Sequence, residues 1–244
     1  MFKRLLPVFG ILGLLSVVLA GSAAAGGGGG YGVPGKFTFT DWSANANFYD
    51  PSGANYSSSV YVDRGTQSFK LKHTRGAPVA EQPGTVLSVN EQTATTQEYG
   101  CWIIPDSAFI IAKDLSSASL NVHATADMQC PGFYVGGATG GKPQLQSSIG
   151  YGGGGPPPTL ISDITVNLTW TGSGAVWNDK NSGSSKCQGY SLTYRGTFDH
   201  EFSTASGTVG DLTASSDPLA QVAHSTQTTN QNGLPSAACN PYGF

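Results

Sequence analysis

Apolar and polar residues alternate along most of this chain, and a period of two is the spacing of a β-strand that buries one face. In residues 164–170, isoleucine, valine, leucine and tryptophan alternate with threonine and asparagine. Three prolines at 156–158 precede this segment and Gly172 follows it, which indicates where the strand begins and ends. No long amphipathic helical pattern occurs after the first 25 residues.

Short alternating segments recur with glycine-rich connections between them. We therefore predict an all-β fold, an antiparallel β-sandwich or jelly roll with long Gly/Pro-rich loops. The first strand carries its apolar residues in one phase over 37–39 and in the other phase over 44–48. A slip of this kind near Trp42 is what a β-bulge produces, so we predict a bulge there.

The first 25 residues have the order of a secretory signal peptide. Lys3 and Arg4 precede an apolar run over 5–20, and small residues follow up to Ala25. We expect cleavage after Ala25 and a secreted, extracellular protein without a transmembrane segment after cleavage. An uncleaved membrane anchor is the alternative, because the run approaches the roughly 17 to 25 residues that span a bilayer.

After the signal peptide, we expect a glycine-rich tether over 26–35 and a single β-sandwich domain over 36–244. A Gly/Pro-rich excursion near 131–162 interrupts this domain. Segments of that length are functional loops, disordered stretches or linkers. Two small β-domains, over 36–130 and 160–244, are therefore the alternative.

Four cysteines follow the export signal and are expected to form two disulfides in an oxidising compartment. They are Cys101, Cys130, Cys187 and Cys239. Four cysteines allow three pairings, and we favour Cys101–Cys130 with Cys187–Cys239 because each closes a loop of moderate length. No pair has the C-x-x-C spacing of a zinc site.

The charge balance of the chain disfavours polyanionic partners. Without Lys3 and Arg4, ten of the twelve basic residues remain against fifteen acidic ones, which gives a net charge of about −5. Nucleic-acid binding needs a basic stripe, and only Lys70, Lys72 and Arg75 fall close together. We interpret this trio as the solvated face of one strand and expect no nucleic-acid partner.

The segment Val166–Gly174, with the sequence VNLTWTGSG, resembles a strand of a group of uncharacterised secreted bacterial β-proteins. The resemblance covers one strand and its neighbours. It implies secretion and β structure, and it implies no activity.

Asp199, His200 and Glu201 form the one cluster of catalytic residue types. In a strand both carboxylates lie on one face, roughly 7 Å apart at Cα. Two carboxylates can serve as the acid and base of a glycosidase, so a secreted polysaccharide hydrolase is one alternative function. The simpler interpretation is a solvated strand face, with His200 on the opposite side between Phe198 and Phe202.

Aromatic residues favour a binding function over a catalytic one. An exposed tryptophan beside amide and carboxylate groups is typical of carbohydrate-binding β-sandwiches, and Trp177-Asn178-Asp179 after Gly174 fits a loop of that kind. We therefore expect a non-catalytic extracellular protein with a cell-wall or other extracellular glycan as ligand. A structural surface protein that self-associates through strand edges is the second alternative.

No metal site or cofactor is expected. The four histidines are not spaced to present two imidazoles to one ion. Calcium is the open alternative, because five aspartates lie near predicted turns, where backbone carbonyls could join them as ligands: Asp41, Asp50, Asp63, Asp211 and Asp217. No EF-hand pattern collects these residues, and we interpret them as turn-forming aspartates.

Overall fold

The computed structural model describes residues 34–49, 57–72, 79–92, 96–130, 159–187, 189–214 and 220–233. The predicted signal peptide, most of the tether and residues 131–158 of the excursion lie outside these ranges. Asp50, Asp217, Arg75 and Cys239 also lie outside them. No helix within the described ranges is long and apolar enough to cross a membrane.

The described residues form strands and two short 3-10 turns, at Asp106–Ala108 and Ala126–Met128. The prediction of an all-β fold is confirmed. The strands are β1 (Gly35–Tyr49), β2 (Ser57–Leu71), β3 (Val79–Gln92), β4 (Gln97–Ile104), β5 (Phe109–Ile111), β6 (Ser117–Ala124), β7 (Thr159–Leu160), β8 (Ile164–Cys187), β9 (Tyr190–Val209), β10 (Leu212–Ala214) and β11 (Ala220–Asn232).

All eleven strands belong to one sheet with the order β5-β6-β8-β9-β11-β1-β2-β3-β4-β7, and β10 pairs with β9. Every pairing is antiparallel except the short parallel contact between β4 and β7. β1 pairs with β11 from Gly35 to Asn45. Through this pairing, the segments before and after the excursion share one sheet.

The two ends of the sheet fold over one another and enclose a single hydrophobic core. Trp102 of β4 and Trp170 of β8 are both 0% exposed and belong to the same cluster of buried side chains. The indole Nε1 of Trp170 donates a 2.9 Å hydrogen bond to the backbone oxygen of Asn45, which joins β8 to β1 across the core. The layered arrangement therefore comes from one continuous sheet.

A disulfide joins Cys101 in β4 to Cys130 after the second 3-10 turn, with 5.4 Å between the Cα atoms. The backbone N–H of Cys130 also donates to the oxygen of Cys101 at 2.9 Å. The predicted pairing of Cys101 with Cys130 is confirmed. The second predicted pairing involves Cys239, which lies outside the described residues.

The buried side of the sheet changes from one face to the other along β1. Phe37, Asp41 and Ser43 are at most 5% exposed, whereas from Ala44 onward the even-numbered residues are the buried ones. β1 pairs with β2 and β11 in unbroken register through this point. The predicted bulge near Trp42 is therefore wrong. The apolar residues move from odd to even positions because the opposite face of the sheet becomes the buried one, while the strand itself stays regular.

The same switch occurs in the neighbouring strands. In β11 the buried residues change from Val222 to Ala223, Thr229 and Gln231, and in β2 they change from Val62 to Gly65. We call the part beyond the switch the extension, and the remaining described residues the body. The extension comprises residues 34–43, 63–72, 79–84, 173–187, 189–200 and 223–233.

Candidate functional site

The hairpin of β8 and β9 links the body to the extension and carries most of the predicted site residues. Residues 164–171 of β8 lie between β6 and β9, with every second side chain buried. After a register shift between Gly172 and Val176, residues 176–187 pair with β9 alone among the described strands. This part of β8 is therefore an edge strand of the extension.

Trp177, Asn178 and Asp179 lie within β8, so the predicted loop is wrong. The paired strands β8 and β9 continue up to Cys187 and Tyr190, and the chain turns after that point. Alternation along the strand places Trp177 and Asp179 on one face and Asn178 on the other. Trp177 is 58% exposed, which makes it the largest exposed apolar side chain in the described ranges.

Asn178 belongs to a row of polar side chains that crosses the opposite face of the sheet. Its Nδ2 donates a hydrogen bond to Oδ1 of Asp199 on β9. On the other side of Asp199, the Nδ1 of His224 lies 3.9 Å from Oδ2. The His224 ring stacks on Trp42 with 3.9 Å between ring centroids. The row runs across four adjacent strands at the border of body and extension.

Glu201 lies on the same face as Asp199, as the alternation requires, but the two carboxylates differ in access to solvent. Glu201 is 2% exposed, and its Oε1 accepts a 2.5 Å hydrogen bond from the backbone N–H of Gly174. The side chain of Asp199 is 30% exposed. The buried carboxylate of Glu201 therefore holds the backbone within the register shift of β8, and of the two carboxylates only that of Asp199 reaches the surface.

His200 faces away from the carboxylates and lies between two phenylalanine rings. Its ring centroid is 5.1 Å from that of Phe198 and 5.8 Å from that of Phe202. Its Nδ1 is buried without a hydrogen-bond partner among the described residues. This imidazole is directly opposite Trp177 in the register of β8 and β9.

Asp41 and Asp63, which the sequence places near turns, lie in the interior of β1 and β2, so that prediction is wrong for both. Asp63 is paired with Ser43, and Asp41 is paired with Gly65. The two carboxyl groups are therefore diagonal neighbours on one face of the sheet. Asp41 is 4% exposed, and its Oδ1 has no hydrogen-bond partner among the described residues.

Burial dominates the electrostatics of this aspartate pair. Loss of solvent raises the pKa of Asp41 to about 6, and a backbone hydrogen bond at Trp42 opposes the rise. Burial and the nearby charge of Asp41 raise the pKa of Asp63 to about 8. Tyr61 is next along β2, and burial together with the two carboxylates raises its pKa well above the usual value. Near neutral pH, Asp63 is therefore largely protonated.

The described residues contain no cluster of three or more histidine, cysteine, aspartate or glutamate side chains that could hold a metal ion. Asp211 is in the exposed turn between β9 and β10. Asp50 and Asp217 lie outside the described ranges. The structure therefore brings two of the five candidate calcium ligands together, as a pair without a third acidic partner in the described part of the chain.

Sequence reasoning missed the partners of Asp199 and the approach of Asp41 to Asp63. Trp42 and His224 are far apart in sequence and become neighbours only through the β1–β11 pairing. One signal in the sequence was available, because Trp42 is an even number of residues away from the later core residues of β1. This spacing shows on which face of β1 the tryptophan lies, but it does not show which strand lies beside it.

No protein-family model and no curated protein matches the chain. Among solved structures, an AttH of Nitrosomonas europaea is similar with 8% identity and a TM-score of 0.27, over 87% of this chain and 55% of that protein. An acetoacetate decarboxylase-like enzyme from Sphingomonas wittichii RW1 is similar with 11% identity and a TM-score of 0.23, over 84% and 94%. The chain thus spans about half the length of the first protein. Neither structure is similar enough to assign a family or a function to this chain.

Proposed function

We propose that this chain is an exported, non-catalytic protein that binds an extracellular glycan on the face of the extension that carries Trp177. The observation that carries the proposal is the exposure of Trp177, 58% on an edge strand. An exposed indole on a strand can bury the apolar face of a sugar ring at little conformational cost, because the paired backbone already restrains its position.

The neighbours of Trp177 supply the polar groups that a sugar requires. Asp179 and Asn181 follow at intervals of two residues, so they share its face, and both are exposed. The carboxylate of Asp179 accepts hydrogen bonds from sugar hydroxyls, and the amide of Asn181 both accepts and donates them. Asn178 points to the other face and is already bonded to Asp199, so it drops out of the proposed site.

Tryptophan fluorescence tests this site directly. Trp102 and Trp170 are 0% exposed and Trp42 is partly buried, so Trp177 should dominate quenching by acrylamide. We expect a bound cell-wall polysaccharide to protect the chain from quenching. Pull-down on insoluble polysaccharides should lose most bound protein with Trp177→Ala, and Trp177→Phe should retain part of the binding.

The matched control for these variants is Ile110→Ala, which removes an apolar side chain that is 64% exposed on β5. Binding by this variant should equal that of the unaltered protein. Equal losses for Trp177→Ala and Ile110→Ala, or no binding across a glycan array, would contradict the proposal.

Self-association through the outer edge of β8 is the second candidate function. Residues 176–187 have a strand on one side only among the described residues, and such an edge is a template for pairing with another chain. Lys180, Lys186 and Asp179 along this edge oppose pairing. Light scattering across a hundredfold concentration range tests it, because a constant monomeric mass excludes assembly.

A polysaccharide hydrolase that uses Asp199 and Glu201 has less support. Glu201 is 2% exposed and bonded to the backbone of Gly174, so it does not line a groove. Reducing-sugar release by the unaltered protein that disappears with Asp199→Asn would favour this alternative over the binding function.

A further inference from the structure

Lysines from three strands gather at the far end of the extension. Lys36 of β1 lies directly opposite Lys70 of β2, and both side chains are exposed. Lys72 follows β2, and its backbone N–H donates to the oxygen of Pro34 at 2.9 Å. The sequence joins Lys70 and Lys72, but only the β1–β2 pairing adds Lys36 to them.

These three lysines line an open cavity of about 440 Å³. Its other walls include Ser191, Thr193 and Asn230, which supply hydroxyl and amide groups. A second cavity of about 420 Å³ adjoins it, shares Ser191, and is lined by Lys186. Among the described residues, four lysines therefore line two adjoining cavities that share Ser191 and Asn232, and the other polar residues of the lining are neutral.

The charge of this cluster is uncompensated within the described residues. None of the described residues that line the two cavities is acidic. The ion pairs between described residues, His123–Asp163 and His224–Asp199, lie elsewhere. Lys72 donates a 2.5 Å hydrogen bond to the neutral Oδ1 of Asn232. Like charges directly opposite on paired strands destabilise a sheet, and a bound anion removes that repulsion.

We propose that this end of the extension binds a polysaccharide that carries carboxylate or sulfate groups. The ammonium groups would contact the acidic substituents, and Ser191, Thr193 and Asn230 would bond the sugar hydroxyls. Among the described lining residues, the larger cavity has no aromatic side chain, and Tyr190 in the second cavity is 7% exposed, so neither cavity offers an exposed ring on which a nucleic-acid base would stack. The chain as a whole is also acidic. A long phosphate backbone is therefore disfavoured.

This site is separate from the one proposed around Trp177 and does not depend on it. Lys36 is aligned with Thr193 of β9, whereas Trp177 is aligned with His200. Thr193 and His200 are seven residues apart on β9, which corresponds to about 23 Å along the strand. Successive side chains of a strand point to opposite faces, so this odd separation places the two sites on opposite faces of the sheet.

Affinity electrophoresis of the full chain tests the proposal, with polygalacturonate, dextran sulfate, neutral dextran and duplex DNA as probes. We expect polygalacturonate or dextran sulfate to retard the protein at low salt, and the stronger of the two identifies the acidic group. Lys36→Gln/Lys70→Gln should weaken that binding about tenfold, as expected for two exposed charge contacts. The matched control Lys113→Gln/Lys180→Gln makes the same charge change away from the cavity and should bind within about twofold of the unaltered protein.

Equal weakening by the two double variants would overturn the proposal, because net charge alone would then explain retardation. Retardation by DNA as strong as by the acidic polysaccharides would also overturn it, as would the absence of retardation by either. Trp177→Ala should leave the binding unchanged, so failure of the site around Trp177 and failure of this one are separately visible. Circular dichroism of the lysine variants confirms that they remain folded.

Discussion

The body and the extension belong to one sheet but are stabilised in different ways. In the body, alternate residues of β8 such as Val166 and Trp170 are buried in a core closed by a second layer of the same sheet. In the extension, the face that carries Asp199 and His224 also carries a row of threonines, in which Thr197 and Thr226 share a 2.9 Å hydrogen bond. The buried groups on its other face include Asp41, Thr229 and Gln231.

This difference shows how a second layer of sheet affects the stability of strands that have the same alternation of side chains. Both regions alternate with a period of two, yet all the buried residues of the hydrophobic core cluster belong to the body. The extension relies on backbone pairing and on a mixture of aromatic and polar groups, of which Phe37 and Asp41 are buried. Buried polar groups stabilise less than apolar ones unless their hydrogen bonds are complete. We therefore expect the global stability of the protein to reside in the body, and ligand contacts to reside in the extension.

Removal of a tryptophan from each region should separate them most clearly. Trp170→Ala opens a cavity in the core and deletes the hydrogen bond to Asn45, so we expect a loss of about 3 to 5 kcal/mol in the free energy of unfolding. Trp177→Ala removes an exposed ring and should cost about 0.5 kcal/mol or less. Urea denaturation of the oxidised protein measures both, and similar losses would mean that the extension is packed as tightly as the body.

The aspartate pair of the extension should make stability depend on pH. The folded-state pKa values of Asp41 and Asp63, about 6 and about 8, lie above those of an unfolded chain, near 3.9. Between these limits the folded state binds more protons, so the free energy of unfolding falls as pH rises from about 4 to above 8. Below about pH 3 both aspartates are protonated in the folded and in the unfolded state, and the contribution of the pair is constant.

Asp63→Asn should remove most of this slope, because asparagine cannot ionise. Each pKa unit corresponds to about 1.4 kcal/mol, and we expect the variant to be more stable by about 2 to 4 kcal/mol at pH 9 and nearly unchanged at pH 4. Asp179→Asn, on the exposed edge, is the control. A stability profile for Asp63→Asn parallel to that of the unaltered protein would show that Asp63 is not desolvated.

Hydrogen exchange should divide β8 in two. Residues 164–171 are paired on both sides, whereas residues 176–187 are paired with β9 alone among the described strands. Amides of 176–187 should exchange at least about 100-fold faster than those of 164–171, since edge amides open without global unfolding. Mass spectrometry of overlapping peptides resolves the two halves, and uniform protection along β8 would indicate that another segment or another chain covers the edge.

The sequence predicted the elements of the body well and the arrangement of the extension poorly. Strict alternation over 164–170 identifies a strand and its buried side, and the spacing of Cys101 and Cys130 suited the disulfide that forms. In the extension, alternation assigns side chains to two faces without saying which face is buried. The change of face in β1 therefore looked like a bulge, and the long polar strand around Trp177 looked like a loop.

The contacts that define the candidate sites were out of reach for a related reason. Asp41 approaches Asp63, and Lys36 faces Lys70, because of the register between β1 and β2. That register is set by many pairings along both strands, and no local pattern in either strand encodes it. Net charge is an average over the chain and does not report where charges gather, since a chain that is acidic overall still places several lysines together at the far end of the extension.

The smallest expected effect lies at that end of the extension. Lys36→Glu replaces a repulsion with an attraction directly opposite Lys70, and we expect a gain of about 0.2 to 1 kcal/mol in the free energy of unfolding at low salt. Salt near 1 M should remove most of the gain, because the pair is exposed. Lys180→Glu, which lies opposite Thr197, makes the same charge change without a facing lysine and should be close to neutral. If both variants gain equally, the stabilisation comes from the overall charge. If only Lys36→Glu increases the free energy of unfolding, the repulsion between Lys36 and Lys70 destabilises the folded state. A positive cluster that persists despite this destabilisation is what we expect of an anion-binding site.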